Sequence, residues 1–164
     1  MEQFWAIYQH LKKPDACKPG IDIQLFKDPI KPMWEDENNK QGGKINIKLR
    51  KDYTTIIWEE MIFALIGNVL PTGVKENVNG VVVSSRDEYN ILQIWFKNCN
   101  TTAVADLEQC IRDLLQIPNE VSLIIKPFVR CAKDFAAKGS GDIKKIPSKG
   151  LGNSSTGKRD KGNK

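Results

Sequence analysis

Val78-Asn79-Gly80-Val81-Val82-Val83-Ser84-Ser85-Arg86-Asp87-Glu88-Tyr89-Asn90-Ile91-Leu92-Gln93-Ile94-Trp95-Phe96-Lys97 is the stretch that decides the fold class. Val78 to Arg86 and Ile91 to Lys97 read as two strands, and the polar Asp87-Glu88-Tyr89-Asn90 between them as a turn. A turn that short makes a hairpin, so the pairing is antiparallel. Upstream, Lys44-Ile45-Asn46-Ile47-Lys48-Leu49-Arg50 alternates strictly. Ile45, Ile47 and Leu49 share one face and the cations the other, as in a half-buried strand. Helices interleave with these strands. One runs from a cap at Thr54 or Thr55 to Ile66, closed by Gly67; another starts at Thr101 or Thr102 and carries Val104, Leu107, Ile111 and Leu114 as its core stripe. Glu2 to Leu11 is a third, with Phe4, Ile7, Tyr8 and Leu11 at helical spacing and Trp5 off that stripe. Ile21 to Phe26 reads as a short strand and Val121 to Ile125 as a buried one, while Lys12–Gly20 and Asp28–Gly43 are loops rich in Pro and Gly. Strands and helices mix without a βα repeat, so the class is α+β.

The chain has 164 residues with 25 Lys+Arg against 20 Asp+Glu, a net charge of +5, and its length suits one domain. The excess is not spread evenly. Residues 1–130 carry 16 basic and 17 acidic side chains, whereas residues 131–164 carry nine basic and three acidic ones. That basic, Gly/Ser/Lys-rich stretch has too few large apolar residues to offset the entropy of ordering it, and reads as a mostly disordered tail behind a 1–130 domain. No apolar run approaches the ~20 residues of a membrane span, and Met1-Glu2-Gln3-Phe4-Trp5 does not open a signal peptide; the expectation is a cytoplasmic protein that engages no membrane. Cys17, Cys99, Cys110 and Cys131 form no C-x-x-C pair, and His10 is the only histidine. This excludes the usual zinc and Cys/His patterns, and leaves the thiols expected to be reduced. There is no Gly-rich phosphate loop and no nucleophile constellation. The chain reads as a binding protein without metal or cofactor, not an enzyme.

Two features ask for more than a core. On a helical wheel of 56–66, Ile57, Trp58, Met61, Ala64 and Leu65 form one face, while Ile56, Phe63 and Ile66 lie opposite, interleaved with Glu59 and Glu60. An outward apolar strip edged by carboxylates, with Trp5 off its own stripe, fits a groove for an amphipathic partner helix or a face covered by another segment of the chain. The second feature is indoles beside charge: Trp34-Glu35 in a loop, Trp95 in the hairpin, and the cations Lys44 and Arg86. An indole can stack on a planar cationic base, a carboxylate can accept its ring N–H donors, and Lys or Arg can neutralise attached phosphates. Tryptophans also fill cores, and spacing leaves both readings open.

The run Phe26-Lys27-Asp28-Pro29-Ile30-Lys31-Pro32-Met33-Trp34-Glu35-Asp36-Glu37-Asn38-Asn39-Lys40-Gln41-Gly42-Gly43-Lys44 resembles the cap-binding loop of the eukaryotic translation initiation factor 4E family, F-K-x-x-I-x-P-M-W-E-D-x-x-N-K-x-G-G-[KR]. Phe4-Trp5, Trp58-Glu59-Glu60, Leu65-Ile66-Gly67, Gly80 to Arg86 and Ile94-Trp95 extend the match over about residues 1–128. The resemblance implies a curved antiparallel sheet backed by three helices on its convex face. It implies that the concave face binds the 7-methylguanosine cap of messenger RNA. By it Trp34 stacks on the base, Glu35 accepts its N1 and N2 protons, Trp95 meets the N7-methyl group, and Lys44 and Arg86 follow the phosphates. On the convex side Trp5, Glu60, Phe63 and Gly67 match the surface for the helical motif of scaffold factor 4G and of 4E-binding proteins.

The departures are informative. The family's first strands, with the second stacking aromatic, precede the first helix, and this sequence begins at that helix. Loss of one stacking face forfeits roughly 1–3 kcal/mol. Ile45 stands where the family usually has tryptophan, and Ile91 where many members place a phosphate-binding lysine. The latter, with Met1 to Trp5 and Lys40 to Lys44, is similar to the divergent 4E-homologous subgroup, often associated with translational repression. Two functions follow as expectations: a cap-binding module in translation initiation or its regulation, or a 4E-like protein that has lost the cap and competes only for partner helices.

Overall fold

The structure, a computed structural model, describes residues 2–128. The proposed tail and the end of the 1–130 domain lie outside them. In chain order the elements are α1 (Glu2–Tyr8), a 3-10 turn (Pro14–Ala16), β1 (Asp22–Phe26), β2 (Gly43–Leu49), α2 (Lys51–Ile66), α3 (Thr72–Asn77), β3 (Val78–Ser85), β4 (Asn90–Phe96), α4 (Thr101–Leu114) and β5 (Ile124–Pro127). The five strands form one curved sheet in the order β1-β3-β4-β2-β5, every pair antiparallel. The hairpin β3–β4 is at its centre, which is why its reading carries the class.

Period-two alternation divides the sheet into two unlike faces. Ile45, Ile47, Val81, Val83, Leu92, Ile94 and Phe96 point to one side, where they close over Trp58, Met61 and Ile62 of α2 and Val104, Leu107 and Ile111 of α4. Each such side chain, fully buried, stabilises the fold by roughly 1.5–3 kcal/mol. Ile45, at the position of the usual family tryptophan, is a fully buried member of this core. The other face carries Phe26, Lys44, Lys48, Gln93 and Trp95, positions that share the opposite register parity. The three expected helices are α1, α2 and α4; the short α3, which its sequence of Thr, Gly, Lys, Glu and Asn conceals, adds Val74 to the same core.

Several local expectations are corrected. Helix α1 stops at Tyr8, and Ile7 and Leu11 are 66% and 54% exposed instead of facing the core. An aromatic cluster turns the helix: Phe4 lies on Trp5 edge-on at 5.1 Å and stacks on Tyr8 at 5.6 Å, so Phe4, Trp5 and Tyr8 meet α2. Lys13 seals this seam with an ion pair to Glu59 (2.8 Å) and its ammonium 3.8 Å from the Tyr8 ring centroid. Burial, helped by the Glu59 carboxylate, pushes the Tyr8 phenol above its usual range. Helix α2 begins at Lys51, so Thr54 is no cap; it is buried, its hydroxyl donating to the Arg50 carbonyl and accepting from Asn90 Nδ2. Gly67 does cap α2, but in a right-handed conformation, and the left-handed residue is Asn68 at φ 57°. In α4 the cap is Asn100, whose side chain accepts from the Thr102 amide. Val121 is exposed and the last strand starts at Ile124, itself exposed, because β5 is an edge strand and only its alternate residues face the core. Cys17 and Cys110 are free thiols, but Cys99 is disulfide-bonded, against the expectation that all four stay reduced.

Candidate nucleic-acid and partner-helix sites

The non-core face of the sheet contains a row drawn from all five strands. Phe26 of β1 is opposite Gly80 of β3, Gly80 opposite Trp95 of β4, Trp95 opposite Lys44 of β2, and Lys44 opposite Lys126 of β5. Gly80 is what lets its neighbours meet. A Cβ there would stand 2.4 Å from the Phe26 ring, so only the bare backbone allows Phe26 to reach Trp95 edge-on at 5.4 Å. Phe128 tilts against the same indole at 4.7 Å. Trp95 is largely buried, and its Nε1 is a buried donor without a hydrogen-bond partner among the described residues. Lys44 Nζ lies 5.4 Å from the Trp95 ring centroid and donates to Gln93 Oε1 at 2.9 Å; Gln93 Nε2 in turn donates to Ser84 Oγ. Burial and the neighbouring Lys126 ammonium hold the Lys44 pKa below the ordinary lysine value.

Trp34 and Glu35 are on the loop between β1 and β2, whose shape is fixed by side chains that replace a regular ladder. Asp36 accepts from the Lys31 amide (3.1 Å) and from the amide and side chain of Asn38 (both 2.9 Å), the pattern of an Asx turn. These donors hold the Asp36 carboxyl below the usual carboxylate range. Asn39, fully buried, donates to the Lys31 and Met33 carbonyls at 2.9 and 2.8 Å, and accepts from Asn79 Nδ2 at 2.9 Å. Asn79 occupies the irregularity in the β3–β4 ladder between Val78 and Gly80, so the loop is pinned to the sheet beside the aromatic row. At the loop's far end a Cβ on Gly42 would lie 1.7 Å from the Phe96 carbonyl oxygen, an approach only glycine permits. The indole of Trp34 is 48% exposed and Glu35 is exposed; among the described residues neither side chain makes a hydrogen bond, ion pair or ring contact. Arg86, at the end of β3, donates to Asp22 (3.3 Å) and to the Ser85 carbonyl (2.7 Å). Lys44 and Trp95 are therefore in direct apposition, Arg86 is tied to β1, and Trp34-Glu35 stand free on a braced loop.

On the helix side, Trp5 and Phe63 come together. Their rings stack at 4.2 Å with an interplanar angle of 28°. Phe63 remains 52% exposed, as does Ile56 at 56%, and Glu60 between them is exposed. Gly67, one turn on, donates its amide to the Phe63 carbonyl. Two wheel positions are corrected: Ile66 packs against the core, and Glu59 turns to Lys13 instead of bordering the strip. Trp5 Nε1, like Trp95 Nε1, is a buried indole donor without a hydrogen-bond partner among the described residues. The sequence reading missed Asn39, Asn79 and Asp36 as the loop's scaffold, and Phe128, Lys126 and Gln93 as neighbours of Trp95. The alternation that placed Lys44 also implied Gln93; nothing local flagged the long-range pair Asn39 and Asn79.

Known proteins share this family and fold. A family model described as Eukaryotic initiation factor 4E matches residues 1–144. Eukaryotic translation initiation factor 4E-4 of Caenorhabditis elegans is 36% identical over 135 residues, 82% of this chain and 63% of that protein. Eukaryotic translation initiation factor NCBP of rice, Oryza sativa, is 34% identical over 82% of this chain and 59% of its own length. The chain thus spans about three fifths of these curated relatives. Among solved structures, C. elegans eIF4E-3 in complex with the 4E-binding protein Mextli and a cap analogue superposes with a TM-score of 0.74 at 28% identity, over 84% of this chain and 77% of that one. Ascaris suum eIF4E-3 with an m2,2,7G cap gives 0.74 at 27%, over 89% and 79%. With the family model covering residues 1–144 and relatives 34–36% identical over 82% of its length, the chain belongs to the eukaryotic initiation factor 4E family.

Proposed function

We propose that this chain is a non-enzymatic binding module that takes the 7-methylguanosine cap of messenger RNA on its non-core sheet face and a partner helix on its α1–α2 face, acting in cytoplasmic translation initiation or its regulation. The observation that carries the reading is the braced loop presenting Trp34 and Glu35, uncommitted, beside the row of Phe26, Trp95, Lys44 and Lys126. Trp34 stacks on the methylated, positively charged base, where π overlap and cation–π attraction contribute roughly 1–3 kcal/mol. Glu35 accepts the N1 and N2 protons as a charge-assisted pair. The apolar wall of Trp95, with Phe26 and Phe128 at its edges, receives the N7-methyl group, and Lys44 and Arg86 neutralise phosphates. The support from relatives is that C. elegans eIF4E-3 is solved with a cap analogue and Mextli together.

The partner helix lies along Ile56, Glu60, Phe63 and Gly67, with Trp5 stacked against Phe63 as the floor. An exposed aromatic on a half-buried one makes a rigid anchor of the type that dominates binding energy.

The test is retention on immobilised 7-methylguanosine triphosphate. Release by free cap analogue and not by GTP supports the proposal, and retention without methyl selectivity refutes it. Trp34→Ala and Glu35→Gln should each abolish selective retention; normal binding by both would reassign the site. Partner-helix binding without cap retention would instead favour a 4E-like interaction protein that has lost the cap, a reading favoured by Arg86 being already engaged with Asp22.

A further inference from the structure

The cationic side chains of the sheet's non-core face extend beyond Lys44, Lys126 and Arg86. Lys48 shares β2 and the face parity of Lys44, four residues on, and is opposite Ile91 of β4. It is exposed, and among the described residues it makes no hydrogen bond or ion pair. Its partner is an aromatic ring: Lys48 Nζ is 3.7 Å from the Tyr89 ring centroid. Tyr89 belongs to the turn that follows Arg86, whose amide donates to the Tyr89 carbonyl at 3.1 Å. Lys48 and Arg86 therefore flank one turn from two different strands.

Arg86, Lys44 and Lys48 are not equally available. Arg86 is paired with Asp22, and Lys44 donates to Gln93, whereas the Lys48 ammonium is committed only to a π face, which holds its position without neutralising its charge. Lys44 and Lys48 stand about 13 Å apart along the strand, a span that two long lysine arms leaning inward close to the length of a triphosphate chain. Ile91, directly between Lys48 and the hairpin partner, supplies no charge of its own.

We propose that Lys48 is a phosphate-binding residue of this chain, acting with Lys44 on the distal phosphates of a nucleotide whose base is held at Trp34 and Trp95. The inference rests on the cap-binding reading above. It places the cation on β2, one strand over from Ile91, so that the apolar Ile91 leaves the phosphate path charged.

The experiment titrates the full chain and Lys48→Met with 7-methylguanosine mono- and triphosphate at several salt concentrations, following tryptophan fluorescence. Lys48→Met should weaken the triphosphate roughly three- to tenfold and flatten its salt dependence by close to one counterion, with the monophosphate unchanged. Ile91→Lys added to Lys48→Met should restore the triphosphate preference. Equal affinities for the triphosphate in both proteins, or an equal loss for both ligands, would overturn the assignment. A wild-type chain that does not distinguish methylated from unmethylated guanine nucleotides would instead sink the cap reading on which it rests, an outcome separate from a selective chain indifferent to Lys48.

Discussion

Replacing Asn39 by alanine should release the loop that presents Trp34 while leaving the sheet intact. Asn39 is fully buried and makes three hydrogen bonds: two donated to the Lys31 and Met33 carbonyls and one accepted from Asn79 Nδ2. At a net ~0.5–1.5 kcal/mol each, and with partners left unsatisfied in a dry site, the loss comes to about 2–4 kcal/mol. With a urea slope of ~1–3 kcal/mol per molar for a domain of this size, the unfolding midpoint should fall by about 1–2 M. The damage is local first. The amides of Asp36, Asn39, Lys40 and Gly42, which donate to carbonyls within the loop, should lose protection from hydrogen exchange well before those of β3 and β4 do. Asn39→Asp sharpens the test, since it keeps an acceptor for Asn79 but turns a negative charge on two carbonyls, and should be worse than alanine. An unchanged midpoint together with wild-type exchange at those four amides would refute the claim that Asn39 braces the loop.

Gly80→Ala should cost about 1–3 kcal/mol, because its Cβ cannot coexist with Phe26 2.4 Å away; a shift of the Phe26 and Trp95 ring resonances is the direct check, and an unperturbed spectrum would count against the close approach. Phe63→Ala, at a 52% exposed position, should change stability by less than ~1 kcal/mol yet weaken an amphipathic partner helix by ~2 kcal/mol or more, about thirtyfold, by calorimetry. Lys44 predicts a pH effect: its folded pKa is lowered below the unfolded 10.5, so the unfolded chain holds the proton more tightly and stability should rise with pH between the two values. Lys44→Met should abolish that rise in alkaline denaturation curves, and phosphate binding, by favouring the charged form, should be accompanied by proton uptake in the same window.

Much of the architecture was legible because the signals are local. The hairpin's two apolar runs and the alternation of 44–50 place three of five strands, and with them the two faces of the sheet. The α2 wheel also anticipated that Phe63 and Ile56 would be exposed opposite Trp58, Met61 and Ala64. What failed was decided by tertiary contacts that no window contains. Trp5 joins Phe63 across more than fifty residues, which rotates α1 and strands Ile7 and Leu11 in solvent. Thr54 looked like a cap because its hydroxyl can bond backbone, and it does, but from within the helix to the carbonyl of Arg50, four residues back. For the binding face, periodicity put Lys44 and Lys48 on one side, while the roles of Trp34 and Glu35 came from resemblance; the asparagine pair that positions them joins residues forty apart in sequence.

The cross-strand row also bears on how the domain is made. Its members, Phe26, Gly80, Trp95, Lys44 and Lys126, come one from each strand, and the pairing that completes it, β5 back to β2, spans the largest sequence separation in the row, some eighty residues. Such a site is completed only when β5 pairs. A chain emerging from the ribosome through β4 holds the hairpin, the loop and both indoles, yet lacks Lys126 and Phe128 until β5 is added. Pairings of such large sequence separation are slow to form and are gained together. Recovery of ligand binding on refolding should therefore trail the recovery of helical signal and coincide with the final closure of the sheet, which makes the site a reporter of complete folding.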